Sequence, residues 1–386
     1  MLQNVLVLTG VNSERFKELG SGDGSLPRLP ECYPYYGALR ERGVEVTVRS
    51  CGKVAQDRKG LRVLGRWSPQ LSVLLALRDF SKYDAVVTWG SLGPLLAMLS
   101  KSLNRQNRKL VTVSFANYSG MHRNLLKIAR QTVYQRGLPL CGKVIFMTRR
   151  QAGEAVNNIG CVPARVAYLP AGVDTSFFAP WPAYADASVR AELRGLETQR
   201  YVVVAGDQLR EEHQIIRVLG GSHIGLVRLT QNKDTERFWK GWAQDNPASF
   251  PVLCIAHLDW REVRYVYQHA MCLLNLVGSS WQPAGWTVMT EAMACGLPVI
   301  VNRGLTTEEM KLYLSRGEAL PFIEVERLDP VEARGALEDL IDSREVIQEM
   351  VHRARLFVEK HFDIEQTGKL AVQILSKVVE DSPRLV

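Results

Sequence analysis

Residues Ser279–Val301 read Ser-Ser-Trp-Gln-Pro-Ala-Gly-Trp-Thr-Val-Met-Thr-Glu-Ala-Met-Ala-Cys-Gly-Leu-Pro-Val-Ile-Val. The pattern is a strand exit, a loop containing Gly285, a helix expected over Val288–Ala294 with Glu291 inside it, and Gly296-Leu297-Pro298 as a hard stop into a strand over Pro298–Val301. A helix start presents unpaired backbone N–H groups and a partial positive charge. Opposite a ligand, such a start suits a diphosphate. A glutamate about one turn inside the helix can accept hydrogen bonds from a vicinal diol such as a ribose. A plain helix start carrying a surface glutamate accounts for the same letters about equally well.

Outward from this stretch, short apolar runs alternate with helix-period segments. In the first half the strands are expected at Val5–Thr9, Val44–Val48, Ala85–Thr88, Leu110–Ser114, Lys143–Phe146 and Val166–Leu169. Helices are expected at Tyr33–Arg42, from Ser68 to Phe80, at Leu92–Leu103, around Arg123–Tyr134 and near Arg150–Ile159. Pro180-Trp181-Pro182 breaks the alternation, and Pro180–Gln199 reads as a linker. It restarts with strands at Tyr201–Ala205, Gly225–Leu229, Val252–Ile255 and Cys272–Leu276, separated by helices from about Arg210, at Thr235–Asp245 and at Trp260–Gln268. From Pro330 the chain reads as almost wholly helical. Repeated β-α units with continuous apolar strands imply parallel sheets covered by helices on both faces. With 386 residues, two such domains are expected. Ligands of doubly wound sheets bind beyond the carboxyl ends of the strands, which places the expected site in a cleft between the two domains.

Composition narrows the class. The seven cysteines are odd in number and none has C-x-x-C spacing, which argues against a disulfide framework and a zinc site. No run approaches the roughly 18 apolar residues of a membrane span. No secretory signal is read at Met1-Leu2-Gln3-Asn4, so a cytoplasmic protein is expected. The net charge of +8 divides unevenly, +14 over residues 1–175 and −6 over the remainder. The basic excess clusters at Arg58-Lys59, at Lys101, Arg105, Arg108 and Lys109, and at Arg123, Lys127, Arg130 and Arg136. A solvated surface, an anionic acceptor and a peripheral contact with an anionic membrane at its inner face each fit. Nucleic acid is not expected, because no recognition motif accompanies the charge.

Glu291-Ala292-Met293-Ala294-Cys295-Gly296-Leu297-Pro298-Val299 resembles the donor-site signature of the retaining glycosyltransferases of family 4 and their relatives, the glycosyl transferases group 1. Leu169-Pro170-Ala171-Gly172-Val173-Asp174-Thr175 with Phe177-Phe178 is similar to that family's crossover between domains. Tyr83-Asp84-Ala85-Val86-Val87 resembles a strand of its first domain, and Leu337–Lys377 its C-terminal helices. The resemblance implies a GT-B fold, with two Rossmann-like domains facing across a cleft. The expected division is 1–175 for the acceptor, 176–365 for a nucleotide sugar, and 366–386 as a helix crossing back. It also implies that Glu291 holds the donor ribose, that backbone groups near Gly285, Trp286, Thr287 and Val288 hold the diphosphate and sugar, and that the anomeric configuration is retained.

Two departures are visible. Counting seven residues between the signature's two glutamates puts the first at Pro283. One extra loop residue puts Gln282 there, which keeps hydrogen-bonding capacity and loses the charge. The phosphate-binding cations after the second domain's first strand are replaced by Val204-Ala205-Gly206-Asp207-Gln208-Leu209-Arg210-Glu211-Glu212-His213. Arg210 is the candidate diphosphate clamp, because a guanidinium matches phosphate oxygens as a fork. A helix-surface arginine paired with a glutamate is its plain alternative, and Lys233 and Arg228 are weaker candidates. In the first half, Gly22 and Gly24 lie in a Gly-rich run suited to close approach of phosphate or acceptor. His122 stands near where the family places a histidine beside the reacting sugar.

The expected chemistry is glycosyl transfer from a nucleotide sugar to a glycan, lipid-linked or small-molecule acceptor, with no cofactor and no metal. Negative charge growing on the departing nucleotide would meet Arg210 and the helix start before Glu291. Two other classes share the architecture. One is a sugar-nucleotide epimerase, which needs further carboxylates and histidines. The other is a binding or scaffolding protein that kept the fold after losing the first glutamate.

Overall fold

A computed structural model describes residues 2–9, 13–22, 26–50, 82–90, 92–99, 109–114, 132–180, 189–278, 282–326, 329–342 and 344–381. The chain divides into two units. The first comprises residues 1–23, 28–171 and 364–386, and the second residues 24–27 and 172–363. The sequence reading placed these divisions at 175/176 and 365/366.

The first unit contains strands β1 (Asn4–Thr9), β2 (Glu45–Ser50), β3 (Ala85–Trp89), β4 (Leu110–Ser114), β5 (Lys143–Phe146) and β6 (Val166–Tyr168). They form one sheet in the order β2-β1-β3-β4-β5-β6. Each pair is parallel, as in the register Val5–Val46, Val5–Ala85, Val86–Leu110, Val111–Lys143 and Val144–Val166. Its described helices include α1 (Ser13–Ser21), α2 (Gly37–Arg40), α3 (Leu92–Leu99) and α4 (Arg149–Asn157), and the C-terminal α12 (Ile364–Glu380) joins them.

Period-two alternation explains why both faces are covered. Val5, Val7, Ala85, Val87, Val111 and Val113 pack with Phe16, Tyr35, Leu39 and the α12 residues Ala371, Ile374, Leu375 and Val378. Leu6, Leu8, Val86, Val144 and Phe146 pack on the opposite face with Leu96, Ala97, Leu138 and Ala155. Each such side chain taken fully from water contributes about 1.5–3 kcal/mol. An ionised residue at Val7, which has no exposed surface, would therefore oppose the fold strongly.

The second unit contains β7 (Tyr201–Ala205), β8 (Gly225–Thr230), β9 (Val252–Ala256), β10 (Cys272–Asn275), β11 (Val299–Asn302) and β12 (Ile323–Val325). Its sheet has the order β12-β11-β10-β7-β8-β9, again parallel throughout. The first strand of this unit, β7, lies between β8 and β10. That is the point where the winding reverses and where doubly wound sheets open a crevice at their carboxyl edge. The helices are α5 (Glu212–Leu219), α6 (Lys233–Asp245), α7 (Trp260–His269), α8 (Trp286–Ala294), α9 (Leu305–Lys311), α10 (Pro330–Asp342) and α11 (Arg344–His361).

Local chemistry sets where these helices begin. Asn232 caps α6 through the N–H of Asp234 at 2.9 Å. Asp259 and Glu262 close a reciprocal capping box on α7, at 2.9 and 3.0 Å. The segments entering and leaving this unit pair with each other: the Val173 N–H donates to the Phe362 carbonyl at 2.8 Å, and the Thr175 hydroxyl to Asp363 at 2.5 Å.

Several expectations change. Tyr33–Arg42 is a 3-10 turn at Tyr33–Tyr35 followed by α2, and the two are separated at Tyr36, whose backbone (φ −131°, ψ −70°) is not helical. The helix expected from about Arg210 begins at Glu212, and Arg210 itself stands outside it. The helix expected at Val288 begins two residues earlier, at Trp286. Gly22, expected in a phosphate or acceptor loop, follows directly on the end of α1: its φ is +66° and its N–H donates to the Glu18 carbonyl at 3.0 Å. Gly24, His122, the helix expected at Ser68–Phe80, and most of the basic clusters lie outside the described residues. Among the described residues no helix is long and apolar enough to cross a membrane.

Candidate functional site

At the carboxyl edge of the second sheet, the chain leaving β7 and the chain leaving β10 run against each other. Arg210 and Val277 form an isolated antiparallel bridge. The Gly278 N–H donates to the Leu209 carbonyl at 2.8 Å. This pairing brings the Asp207–Glu211 loop beside the start of α8.

The start of α8 is built on Gly285, which caps the helix with φ +79° and ψ 0°. A side chain is disfavoured there twice. The left-handed conformation suits glycine, and a Cβ would lie 2.5 Å from both amide atoms of Asn275. The Ala284 N–H donates to the Gln282 carbonyl at 2.7 Å, which makes the turn that delivers the chain to Gly285. The Trp286 N–H reaches the Pro283 carbonyl at 3.2 Å. Among the described residues no acceptor meets the N–H groups of Thr287 and Val288. The side chain of Trp286 points into the core, edge-on to Phe362 with ring centres 5.0 Å apart, so only its backbone faces the site.

Arg210 lies beside this helix start. Its Nε donates to the Ala205 carbonyl at 2.8 Å, which turns the side chain back over the end of β7. A Cβ on Gly206, whose φ is +81°, would lie 3.2 Å from Arg210 Nη2 and 3.5 Å from Val288 Cγ2. Nη1 is buried without a hydrogen-bond partner among the described residues. Burial first, and the nearby Arg228 charge second, pull its pKa down to about 10, which leaves it cationic at neutral pH. The guanidinium is neither surface-exposed nor paired with a carboxylate, unlike the plain alternative read from the sequence.

Glu291 is 6% exposed, on the second turn of α8. The Tyr267 hydroxyl donates to its Oε2 at 3.4 Å. Burial, with the Glu291 charge beside it, pushes the Tyr267 phenol well above its usual range, so the phenol keeps its proton and acts as donor. Arg210, Tyr267 and Glu291 thus share one neighbourhood.

The other candidate cations are placed differently. Arg228 has no exposed surface and is fully engaged. Nη2 meets Glu212 at 2.6 Å and Asp207 at 3.5 Å, and Nη1 donates to the Leu229 carbonyl at 2.5 Å. Lys233 is the exposed first residue of α6, at the same sheet edge.

Asn275, the last residue of β10, drew no attention in the sequence. It is 1% exposed, and among the described residues neither of its side-chain amide atoms has a partner. The apolar run around it hides the only signal, a single polar letter at a strand end. Native proteins rarely leave such a group orphaned. Unfilled donors on Arg210, Thr287, Val288 and Asn275 therefore converge at one helix start.

The sequence pattern of Glycosyltransferase Family 4 matches residues 36–177, and that of a glycosyl transferase-like family matches residues 203–375. No protein of curated function matches the chain significantly. Among solved structures, sucrose-phosphate synthase from Thermosynechococcus elongatus is similar with a TM-score of 0.69 and 15% identity, over 98% of this chain and 100% of that one. HepE from Anabaena in complex with UDP-glucose has a TM-score of 0.67 and 14% identity, over 97% and 99%. The catalytic domain of starch synthase IV from Arabidopsis thaliana, bound to ADP and acarbose, has a TM-score of 0.64 and 12% identity, over 98% and 99%. The shared architecture is the two-domain GT-B fold.

Proposed function

Because the chain belongs to the nucleotide-sugar-dependent glycosyltransferases of the family-4 and group-1 kind, we propose that it holds the diphosphate of its donor between Arg210 and the first turn of α8. The observation that carries this reading is the state of Arg210. A cation held half-buried, with Nη1 unfilled and the neighbouring carboxylates taken by Arg228, stands beside a helix start with two unfilled N–H groups. Two sources of positive potential without an anion define an anion site.

The ligand chemistry follows from these residues. The Thr287 and Val288 N–H groups and the Arg210 guanidinium bind the diphosphate. Glu291, oriented by Tyr267, accepts from the ribose diol. Gln282, at the turn into Gly285, stands on the side of the transferred sugar, and Lys233 flanks the same edge. When the anomeric carbon–phosphate bond breaks, the electron pair stays on the phosphate oxygen, and Arg210 with the helix start stabilises that charge. The leaving phosphate can take the acceptor hydroxyl's proton, giving front-face transfer with retention and no separate protein base. The UDP-glucose bound in HepE supports a nucleotide sugar as donor.

A thermal-shift screen with UDP, GDP, ADP and CDP and their common sugars tests this reading, followed by nucleotide release on addition of glycan or small-molecule acceptors. One nucleotide sugar is expected to raise the melting temperature and to turn over. No shift with any of them would contradict donor binding, and a shift with no transfer would favour a binding or scaffolding role.

A further inference from the structure

The geometry of Arg228 does not suit a direct phosphate ligand, because it is fully buried and each guanidinium nitrogen already donates inside the protein. We propose instead that Arg228 is a positioning residue for donor binding: it staples the two ends of the Asp207–Glu212 loop and thereby holds Arg210 turned toward the start of α8. The inference rests on the reading of Arg210 given above.

The loop has two pins on one planar group. At one end, Asp207 Oδ1 lies 3.5 Å from Arg228 Nη2. At the other, the Glu212 carboxylate takes Nη2 at 2.6 Å and Nε at 3.2 Å. Both carboxylates are secured from other directions. The Trp239 indole N–H donates to Glu212 at 2.8 Å. Asp207 accepts from the Gln231 N–H at 2.7 Å and from the Thr230 hydroxyl. The four residues between the pins must therefore fold back within a fixed span. Leu209 shows the consequence: it holds φ +56° while 47% exposed, a conformation that non-glycine residues rarely adopt without an external constraint. The next residue is Arg210, turned inward so that its Nε reaches the Ala205 carbonyl.

The same contacts settle the electrostatics. Asp207 and Glu212 are the nearest carboxylates of the loop. Left free, either would neutralise Arg210 and compete with a diphosphate. Arg228 keeps both occupied.

Two variants separate positioning from mere stability. Arg228→Lys keeps the charge, but an ammonium is a point donor that cannot fork to Asp207, Glu212 and the Leu229 carbonyl together. The double variant Glu212→Met with Arg228→Met removes the closest ion pair; it also takes a partner from the Trp239 N–H, the Leu229 carbonyl and Asp207, so some loss of stability is expected and its melting temperature is read first. For each, the melting temperature is measured, together with calorimetric affinities for UDP and for uridine. If UDP does not bind, the tightest of GDP, ADP and CDP and its nucleoside replace them. The expected result for Arg228→Lys is a folded protein whose uridine affinity stays within about threefold of wild type while UDP affinity falls about tenfold or more. The folded double variant is expected to show the same split. UDP affinity within about twofold of wild type in folded Arg228→Lys would overturn the proposal. Should the wild-type protein bind UDP no better than uridine, it is the diphosphate reading of Arg210 that fails, which is a different result.

Discussion

Two arginines of the second unit, Arg228 on β8 and Arg210 in the loop that leaves the neighbouring β7, are in opposite states. Around Arg228 the β8 flank is closed: two carboxylates, a carbonyl and a tryptophan N–H complete a network in which each guanidinium nitrogen has a partner. Around Arg210 the switch point between β7 and β10 is open, with Nη1 of the arginine and both amide atoms of Asn275 unpartnered. The asparagines repeat the contrast. Asn302, ending β11, accepts from the Val277 N–H at 2.7 Å and donates to the Val277 carbonyl at 3.0 Å, whereas the side-chain amide of Asn275, ending the adjacent β10, has no partner among the described residues. A buried polar group that is satisfied supports the fold, and one left unsatisfied marks where a ligand or water belongs.

The largest effect is expected at the hinge of the open region. Gly285→Ala combines a left-handed backbone with a Cβ 2.5 Å from Asn275, and should cost about 2–4 kcal/mol of stability, measured by urea unfolding. A loss below about 0.5 kcal/mol would mean that the turn relaxes freely and is not a fixed cradle. The asparagines break the comparison more finely. Asn302→Leu should cost about 2–3 kcal/mol, since it orphans both buried backbone groups of Val277. Asn275→Leu should leave the ligand-free protein within about 1 kcal/mol of wild type or more stable. Equal losses at the two sites would show that Asn275 is satisfied internally. A smaller effect is expected at Glu291. Glu291→Gln keeps an acceptor for Tyr267 and should weaken nucleotide binding about tenfold, read by calorimetry. Alanine is the poorer probe, because it would strand the buried Tyr267 hydroxyl. Unchanged affinity for the nucleotide would remove the ribose role.

The legibility of this chain follows the same division. Parallel strands buried on both faces appear as apolar runs, so eleven of the twelve described strands were expected close to where they lie. The twelfth, β12, has only three residues, too short for any periodicity to show. Helices α1 and α9 were also missed, the first because it ends in glycine and serine that read as loop, the second because it spans seven residues. The positions of Gly285 at the helix start and Glu291 inside the helix were legible because they are local, fixed by the spacing within one loop and one helix. The state of Arg210 was not, because it depends on Arg228 capturing Asp207 and Glu212 from the next strand. The orphaned amide of Asn275 was invisible for a similar reason: its environment is set by a glycine ten residues later.

The proposed donor binding turns most directly on what Arg210 does for the diphosphate. The measurement is calorimetric titration of wild-type protein and Arg210→Ala with UDP and with uridine, or with whichever nucleotide pair the wild-type protein prefers. Charge-assisted hydrogen bonds contribute about 1.5–3 kcal/mol, so the wild type should favour the diphosphate over the nucleoside by about tenfold or more, and Arg210→Ala should lose most of that preference while its nucleoside affinity holds. The same preference in both proteins would contradict the assignment and leave Arg210 a structural residue.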